Sequence, residues 1–188
     1  MTPELTPSQT IGPFYHFSLP FQGGEHLVEP DDPDAVRIVG TVYDGAGEPV
    51  SDAMLEVWQA NRAGRYAHPE DDRDDPPLEE GFTGFGRCPT DSDGRYEFVT
   101  LKPGAVPGPD GRPQAPHIDV SIFARGLLRQ LVTRIYFPDE KEANASDPVL
   151  SSIEDPEFRQ TLIATDEGDV LRFDVRLQGE NQTAFFEF

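Results

Sequence analysis

Basic residues, cysteine and long apolar runs are all scarce in this sequence of 188 residues. Only 15 Lys and Arg stand against 35 Asp and Glu, which leaves a formal net charge of −20. A surface this acidic repels phosphate backbones and anionic lipid faces, so neither nucleic acid nor membrane is an expected partner. The single cysteine, Cys88, excludes an intrachain disulfide and any zinc site built on several thiolates. No apolar stretch approaches the roughly 18–20 residues that cross a bilayer. The opening MTPELTPSQT has neither the basic n-region nor the apolar h-region of a secretory signal. A soluble, cytoplasmic protein is therefore expected. Also missing are a Ser-His-Asp order, a G-x-S-x-G elbow, a phosphate-binding loop and a dinucleotide fingerprint.

What is present points to a β-rich fold. Hydrophobic residues make up 36% of the chain, enough for a packed core, and 13 Phe are among them. The 17 Gly and 19 Pro imply many turns and irregular connections, which suit strands better than a helical bundle. Residues 1–35 read as an irregular arm, because Pro3, Pro7, Pro13, Pro20, Pro30 and Pro33 repeatedly remove backbone donors. The arm also carries Ile11, Phe14, Tyr15, Phe17, Leu19 and Phe21, which need cover from this domain or from a partner chain.

Residues 36–188 read as one antiparallel β-sandwich. Strands are predicted over Val36–Val42, Met54–Trp58, Arg95–Thr100, His117–Ala124, Leu131–Phe137 and Leu171–Leu177, separated by turn signals such as Asp44-Gly45 and Asp93-Gly94. In the last of these, Leu171, Phe173, Val175 and Leu177 share one face. One or two short helices complete the reading. Asp155 is a good N-cap, Pro156 suits the first helical position, and Phe158, Leu162 and Ile163 supply an apolar stripe. The stretch Pro69–Glu80 holds seven acids and one large apolar residue, and is expected to be a mobile, solvated loop. Asp91-Ser92-Asp93-Gly94 resembles the start of a calcium loop, but Pro89 and Thr100 stand where such a loop begins and ends; a local Asp-capped turn is expected instead.

His117 and Asp119, two apart on a strand, point the same way, as do Tyr66 and His68 if that segment is extended. Such a set suits a hard or borderline metal. The plain alternative is that each histidine satisfies a turn or strand hydrogen bond, and on spacing alone that alternative is the favoured one.

Longer motifs carry more information. Thr6-Pro7-Ser8-Gln9-Thr10-Ile11-Gly12-Pro13-Phe14, Leu55-Glu56-Val57-Trp58-Gln59-Ala60, Gly64-Arg65-Tyr66, Thr90-Asp91-Ser92-Asp93-Gly94-Arg95-Tyr96, Leu101-Lys102-Pro103-Gly104 and Ala115-Pro116-His117-Ile118 resemble segments of the intradiol ring-cleaving dioxygenases, over nearly the whole chain. The resemblance implies an α–β pair of like sandwiches in which the catalytic β subunit holds Fe(III) with two tyrosines and two histidines. Carried onto this sequence, the first tyrosine falls on Tyr66 and the first histidine on His117. The second tyrosine falls on Val106 and the second histidine on Asp119. This chain is therefore expected to bind no catalytic iron and to supply no catalytic residue, although Tyr66, His117 and Asp119 could still trap a stray metal weakly.

Its implied role is to complete a pocket for O2-dependent cleavage of protocatechuate (3,4-dihydroxybenzoate). By resemblance the substrate-binding residues are Gly12 and Pro13, at the pocket mouth, and Arg125, whose two-pronged guanidinium suits the substrate carboxylate. Arg129 and Arg134 are weaker candidates for the same role. From the residues alone, Arg125 reads as a surface charge or a salt bridge to the partner, and only the resemblance points it toward substrate. The arm, residues 1–35, is expected to pack on the β subunit. Two rival readings are a homomeric enzyme with an atypical iron site and a non-enzymatic binding module.

Overall fold

The computed structural model describes residue 12, residues 14–108 and residues 111–187. Its strands are β1 (Ala35–Tyr43), β2 (Met54–Trp58), β3 (Phe85–Pro89), β4 (Arg95–Leu101), β5 (Val106–Pro107), β6 (Pro113–Gln114), β7 (His117–Phe123), β8 (Leu131–Tyr136), β9 (Thr165–Asp166), β10 (Leu171–Arg172) and β11 (Val175–Arg176). Four short helices accompany them: α1 (Tyr15–Ser18), α2 (Lys141–Ser146), α3 (Pro148–Ser152) and α4 (Pro156–Gln160). One sheet runs β11-β1-β10-β9 with β4 also paired to β1; the other runs β3-β2-β7-β8. Between them lie Ile38, Val42, Leu55, Val57, Phe98, Ile118, Val120, Ile122, Ile135, Phe173 and Val175, all buried. The β-sandwich expected from alternation is thus the fold, mostly antiparallel. The exceptions are β10 and β11, which run parallel to β1.

The alternating segment 171–177 is split into two strands. Gly40 of β1 passes so close that a Cβ there would fall 1.9 Å from the Phe173 carbonyl oxygen. Across the break the pairing continues by other means. Phe173 N–H donates to the Val39 carbonyl (2.8 Å), and the Asp174 carboxylate accepts Thr41 N–H (2.9 Å).

The helices form where capping residues stand. Asp155 caps α4 by accepting from Glu157 and Phe158 N–H, as its sequence signature implies. Asp147 does the same for α3 and does more. Fully buried, its carboxylate also accepts Ala115 N–H (2.8 Å) and the Tyr136 hydroxyl (3.2 Å). It fastens a second apolar cluster, built on Tyr136, Leu150, Leu162 and Ala184, against the start of β7.

Two expectations change. The acidic stretch 69–80 is tied down rather than free. Arg65 donates to the Asp74 and Pro76 carbonyls, Asn61 to Pro77, Arg73 to Gly64, and Asp71 accepts Tyr66 N–H. The arm, in turn, leans partly on its own domain. Leu27 and Glu25 bond to Val99 of β4, Gly24 accepts Arg87 N–H, and Tyr15 is buried. Phe14 (67% exposed) and Phe17 (63%) remain open, with Leu19 and Phe21 roughly half exposed. At the supposed calcium loop, Asp91 accepts Asp93 and Arg95 N–H, the Asp-capped turn expected.

Candidate functional site

Strand register builds the first cluster. On β7, Ile118, Val120 and Ile122 face the core, so His117, Asp119 and Ser121 face outward. Asp119 lies opposite Trp58 on β2 and opposite Arg134 on β8. Trp58, Asp119 and Arg134 therefore form a row across the sheet. The loop after β2 folds back over this row and stacks the Tyr66 ring on Trp58, with centroids 6.1 Å apart. Tyr66 and Val106 line one cleft of about 390 Å³, together with Trp58, His68, Asp71 and Arg73. The four positions carried over from the family's iron site thus converge in space.

Their chemistry does not fit a ferric ion. Val106 is buried and offers no donor. Arg134, with 17% of its side chain exposed, donates Nε to Asp119 Oδ1 (2.8 Å) and Nη1 to Gln114 Oε1 (2.7 Å), so Asp119 already has its cation. The Tyr66 phenol is pushed up to about 12, first by burial and then by the Asp119 carboxylate. Only His117 keeps a ligand's geometry. Its Nδ1 donates to the Ala115 carbonyl (2.7 Å), leaving a buried Nε2 without a hydrogen-bond partner, 3.9 Å from Asp119 Oδ2. Burial and Arg134 lower its pKa and keep the imidazole neutral. Among the described residues no group of three or more His, Cys, Asp or Glu could hold a metal ion.

The second cluster lies at the other end of the same strand pair. The β2–β7 register sets Met54 opposite Phe123. Continued two residues further it sets Asp52 opposite Arg125. The pair forms as that register implies: Arg125 Nε donates to Asp52 Oδ2. The hydroxyl of Tyr15, from α1, donates to the Asp52 carbonyl and lies close enough to Arg125 to feel its charge, so it sits beside both strand ends. Burial foremost, with Asp52 next, raises the Tyr15 phenol to about 12.

The residues singled out from sequence are distributed as follows. Tyr66, His117 and Asp119 gather at the first cluster, and Arg125 stands at the second. Gly12, at φ +76°, lies three residues before the Tyr15 that touches Arg125. Pro13 lies outside the described residues. Arg134, expected as a weaker substrate contact, is instead the internal partner of Asp119. Arg129 is exposed and paired with Glu187. His68 accepts Glu70 N–H and packs edge-on against Trp58, the plain structural role. Sequence reasoning missed Asp52 and Tyr15. The signal for Asp52 was the β2–β7 register, which needs both strands aligned first.

Six residues separate Asp119 from Arg125, about 20 Å of extended chain on one face. Arg125 therefore does not serve a ligand in this chain's own cleft.

Known proteins are similar to this chain in sequence and in fold. The family model described as "Dioxygenase" matches residues 10–179. The protocatechuate 3,4-dioxygenase alpha chain of Pseudomonas putida is 44% identical, over 100% of this chain and 98% of its own length. The beta chain of the same enzyme from Burkholderia cepacia is 41% identical, over 85% of this chain and 72% of its own. Among solved structures, the dioxygenase domain of a dioxygenase carbohydrate-binding protein fusion from Streptomyces sp. SirexAA-E superposes with a TM-score of 0.58 at 27% identity, covering 94% of this chain and 99% of that one. With a family match over most of its length and the β-sandwich to go with it, this chain belongs to the intradiol ring-cleaving dioxygenases.

Proposed function

We propose that this chain is the α subunit of a protocatechuate 3,4-dioxygenase. It pairs with a β chain that holds the Fe(III), and it completes the pocket in which O2 cleaves protocatechuate to 3-carboxy-cis,cis-muconate. The observation that carries this reading is the pairing of Arg134 with Asp119 beside Val106. Where the resemblance puts two of the family's metal ligands, this chain carries an isopropyl group and an aspartate paired with a guanidinium. Full-length similarity to an alpha chain supports the same division of labour.

Arg125 is this chain's contact with substrate, reaching into the partner's site rather than its own. Two features support that assignment. It stands far along the sheet from the chain's own cleft, and its guanidinium is 72% exposed. Gly12 and Pro13 would form the backbone edge of the same mouth, where glycine permits close approach and proline fixes the bend. The exposed Phe14 and Phe17 belong against the β chain. The chemistry asked of this chain is binding, orientation and exclusion of water, with no proton or electron passed through its side chains. No helix among the described residues is long and apolar enough to cross a membrane, and we place the complex in the cytoplasm.

The test is Arg125→Ala in the co-expressed complex. A charge-assisted carboxylate contact contributes roughly 1.5–3 kcal/mol, so KM for protocatechuate should rise roughly tenfold or more, with iron content unchanged. An unchanged KM would falsify the assignment of Arg125 to substrate.

A further inference from the structure

We infer that Asp52 is a positioning residue for Arg125, with Tyr15 as the bracket that fixes both to the end of the sandwich. The inference rests on the reading that Arg125 binds the substrate carboxylate. What it adds is how a long side chain on a turn, just past the end of β7, acquires a defined direction.

An arginine at the surface has about 2 kcal/mol of rotamer entropy to lose, so an unsupported one is a poor anchor. Here the register of β2 and β7 brings a carboxylate directly opposite. The contact is made through Nε, one side of the guanidinium fork. Among the described residues Nη1 and Nη2 make no hydrogen bond, and they form the other edge of that planar group. A guanidinium held by Nε is thus presented end-on, with two parallel N–H donors outward. That is the geometry a benzoate carboxylate takes from an arginine. The arrangement also leaves Asp52 on the side of the fork that the substrate does not use, so the two carboxylates do not compete for one edge.

Asp52 is itself held. Its side chain is 18% exposed, and the buried Tyr15 hydroxyl donates to its backbone carbonyl, close beside Arg125. The bracket comes from α1, three residues after Gly12. The mouth segment of the arm and the arginine are therefore registered to one another by a single phenol. Removing either the Asp52 carboxylate or the Tyr15 hydroxyl should loosen Arg125 without touching substrate or iron.

The test is steady-state kinetics of the assembled αβ complex in four forms: wild type, Asp52→Ala, Arg125→Ala and the double variant. Asp52→Ala should raise KM for protocatechuate about threefold to fivefold, the range of an exposed ion pair, with kcat within twofold of wild type. In the Arg125→Ala background the same change should do nothing further, because the group it positions is gone. Asp52→Asn keeps an acceptor and should recover much of the loss, and Tyr15→Phe should raise KM as Asp52→Ala does. With catechol, which has no carboxylate, as the probe, neither Asp52→Ala nor Tyr15→Phe should alter KM. If Asp52→Ala raises KM equally with and without Arg125, or raises it for catechol too, the effect is general damage and the inference falls. It falls as well if Arg125→Ala raises KM while Asp52→Ala leaves it unchanged or lowers it. If Arg125→Ala itself leaves KM unchanged, the failure lies in the assignment of Arg125 to substrate, and the inference goes with it.

Discussion

Arg134 and Arg125 sit on one face of one sheet, nine residues apart in sequence, and each is paired with an aspartate directly across the strands. Their surroundings make them opposites. Arg134 is 17% exposed, and both its Nε and its Nη1 are engaged, by Asp119, Gln114 and Tyr136. Arg125 is 72% exposed, and only its Nε is engaged. One guanidinium is a fixture that neutralises a carboxylate where the family's iron site falls. The other is a donor with both of its Nη groups turned outward. The contrast shows how a duplicated sandwich can divide its labour. On the function proposed above, the same strand-pair chemistry serves one end of the sheet as an internal ion pair and offers the other end to a carboxylate.

The contrast should be sharpest in a crossed experiment. Arg134→Ala leaves Asp119 partly buried without its cation, and loss of one partner of such a pair costs about 3 kcal/mol of folding stability. The melting temperature should drop by several degrees. Once assembled, that variant should bind protocatechuate with an unaltered KM. Arg125→Ala should do the reverse, with a smaller loss of stability, about 1 kcal/mol, because the exposed guanidinium is the weaker half of its pair with Asp52, and KM raised roughly tenfold. Equal effects of both variants on KM would erase the distinction.

A smaller effect is expected from the arm. Phe14→Ser with Phe17→Ser should weaken association with the β chain, measured by sedimentation of the complex at falling concentration. The melting temperature of this chain should barely move, because both rings are exposed in it. A wholesale deletion of residues 1–24 is less informative, since it also removes Tyr15 and the Leu19 and Gly24 carbonyls bonded by Arg87.

The smallest effect concerns pH. Arg73 beside Asp71 holds that carboxyl well below the usual carboxylate range, so its folded-state pKa is lower than its unfolded one. Its contribution is present above about pH 4 and is lost as pH falls further. The stability gap between wild type and Asp71→Asn should narrow steadily as pH drops below about 4. A gap that widened on acidification would contradict the assignment.

Much of the fold was legible because it obeys local rules. Alternation placed β1, β2, β4, β7 and β8 almost to the residue, and Asp155-Pro156 announced α4. Asp147-Pro148 carries the same signature for α3 and could have been read the same way. Strand β3 was not legible, because Gly86 and Pro89 look like turn residues. Gly86 is required there because Leu27 and the Val57 side chain crowd the space a Cβ would fill. The acidic loop was misread because charge density describes the segment and not its partners. Those partners, Arg65 and Asn61, lie outside it.

The site was legible in part. Matching positions one at a time pointed to Tyr66, Val106, His117 and Asp119, and the structure brings Tyr66 and Val106 to one cleft and His117 beside Asp119. That a nearby arginine supplies the replacing charge was not visible. Asp119 and Arg134 are fifteen residues apart, and only the β7–β8 register makes them neighbours. The same holds for Asp52 and Arg125. Register is a property of paired strands, and a sequence read one strand at a time does not contain it.

The most direct test of the division of labour is the iron content and ring-cleaving activity of this chain purified alone, set beside the αβ complex. An iron-free, inactive chain beside a complex with one iron per αβ pair is the expected result. Stoichiometric iron on the isolated chain, with cleavage of protocatechuate, would contradict it.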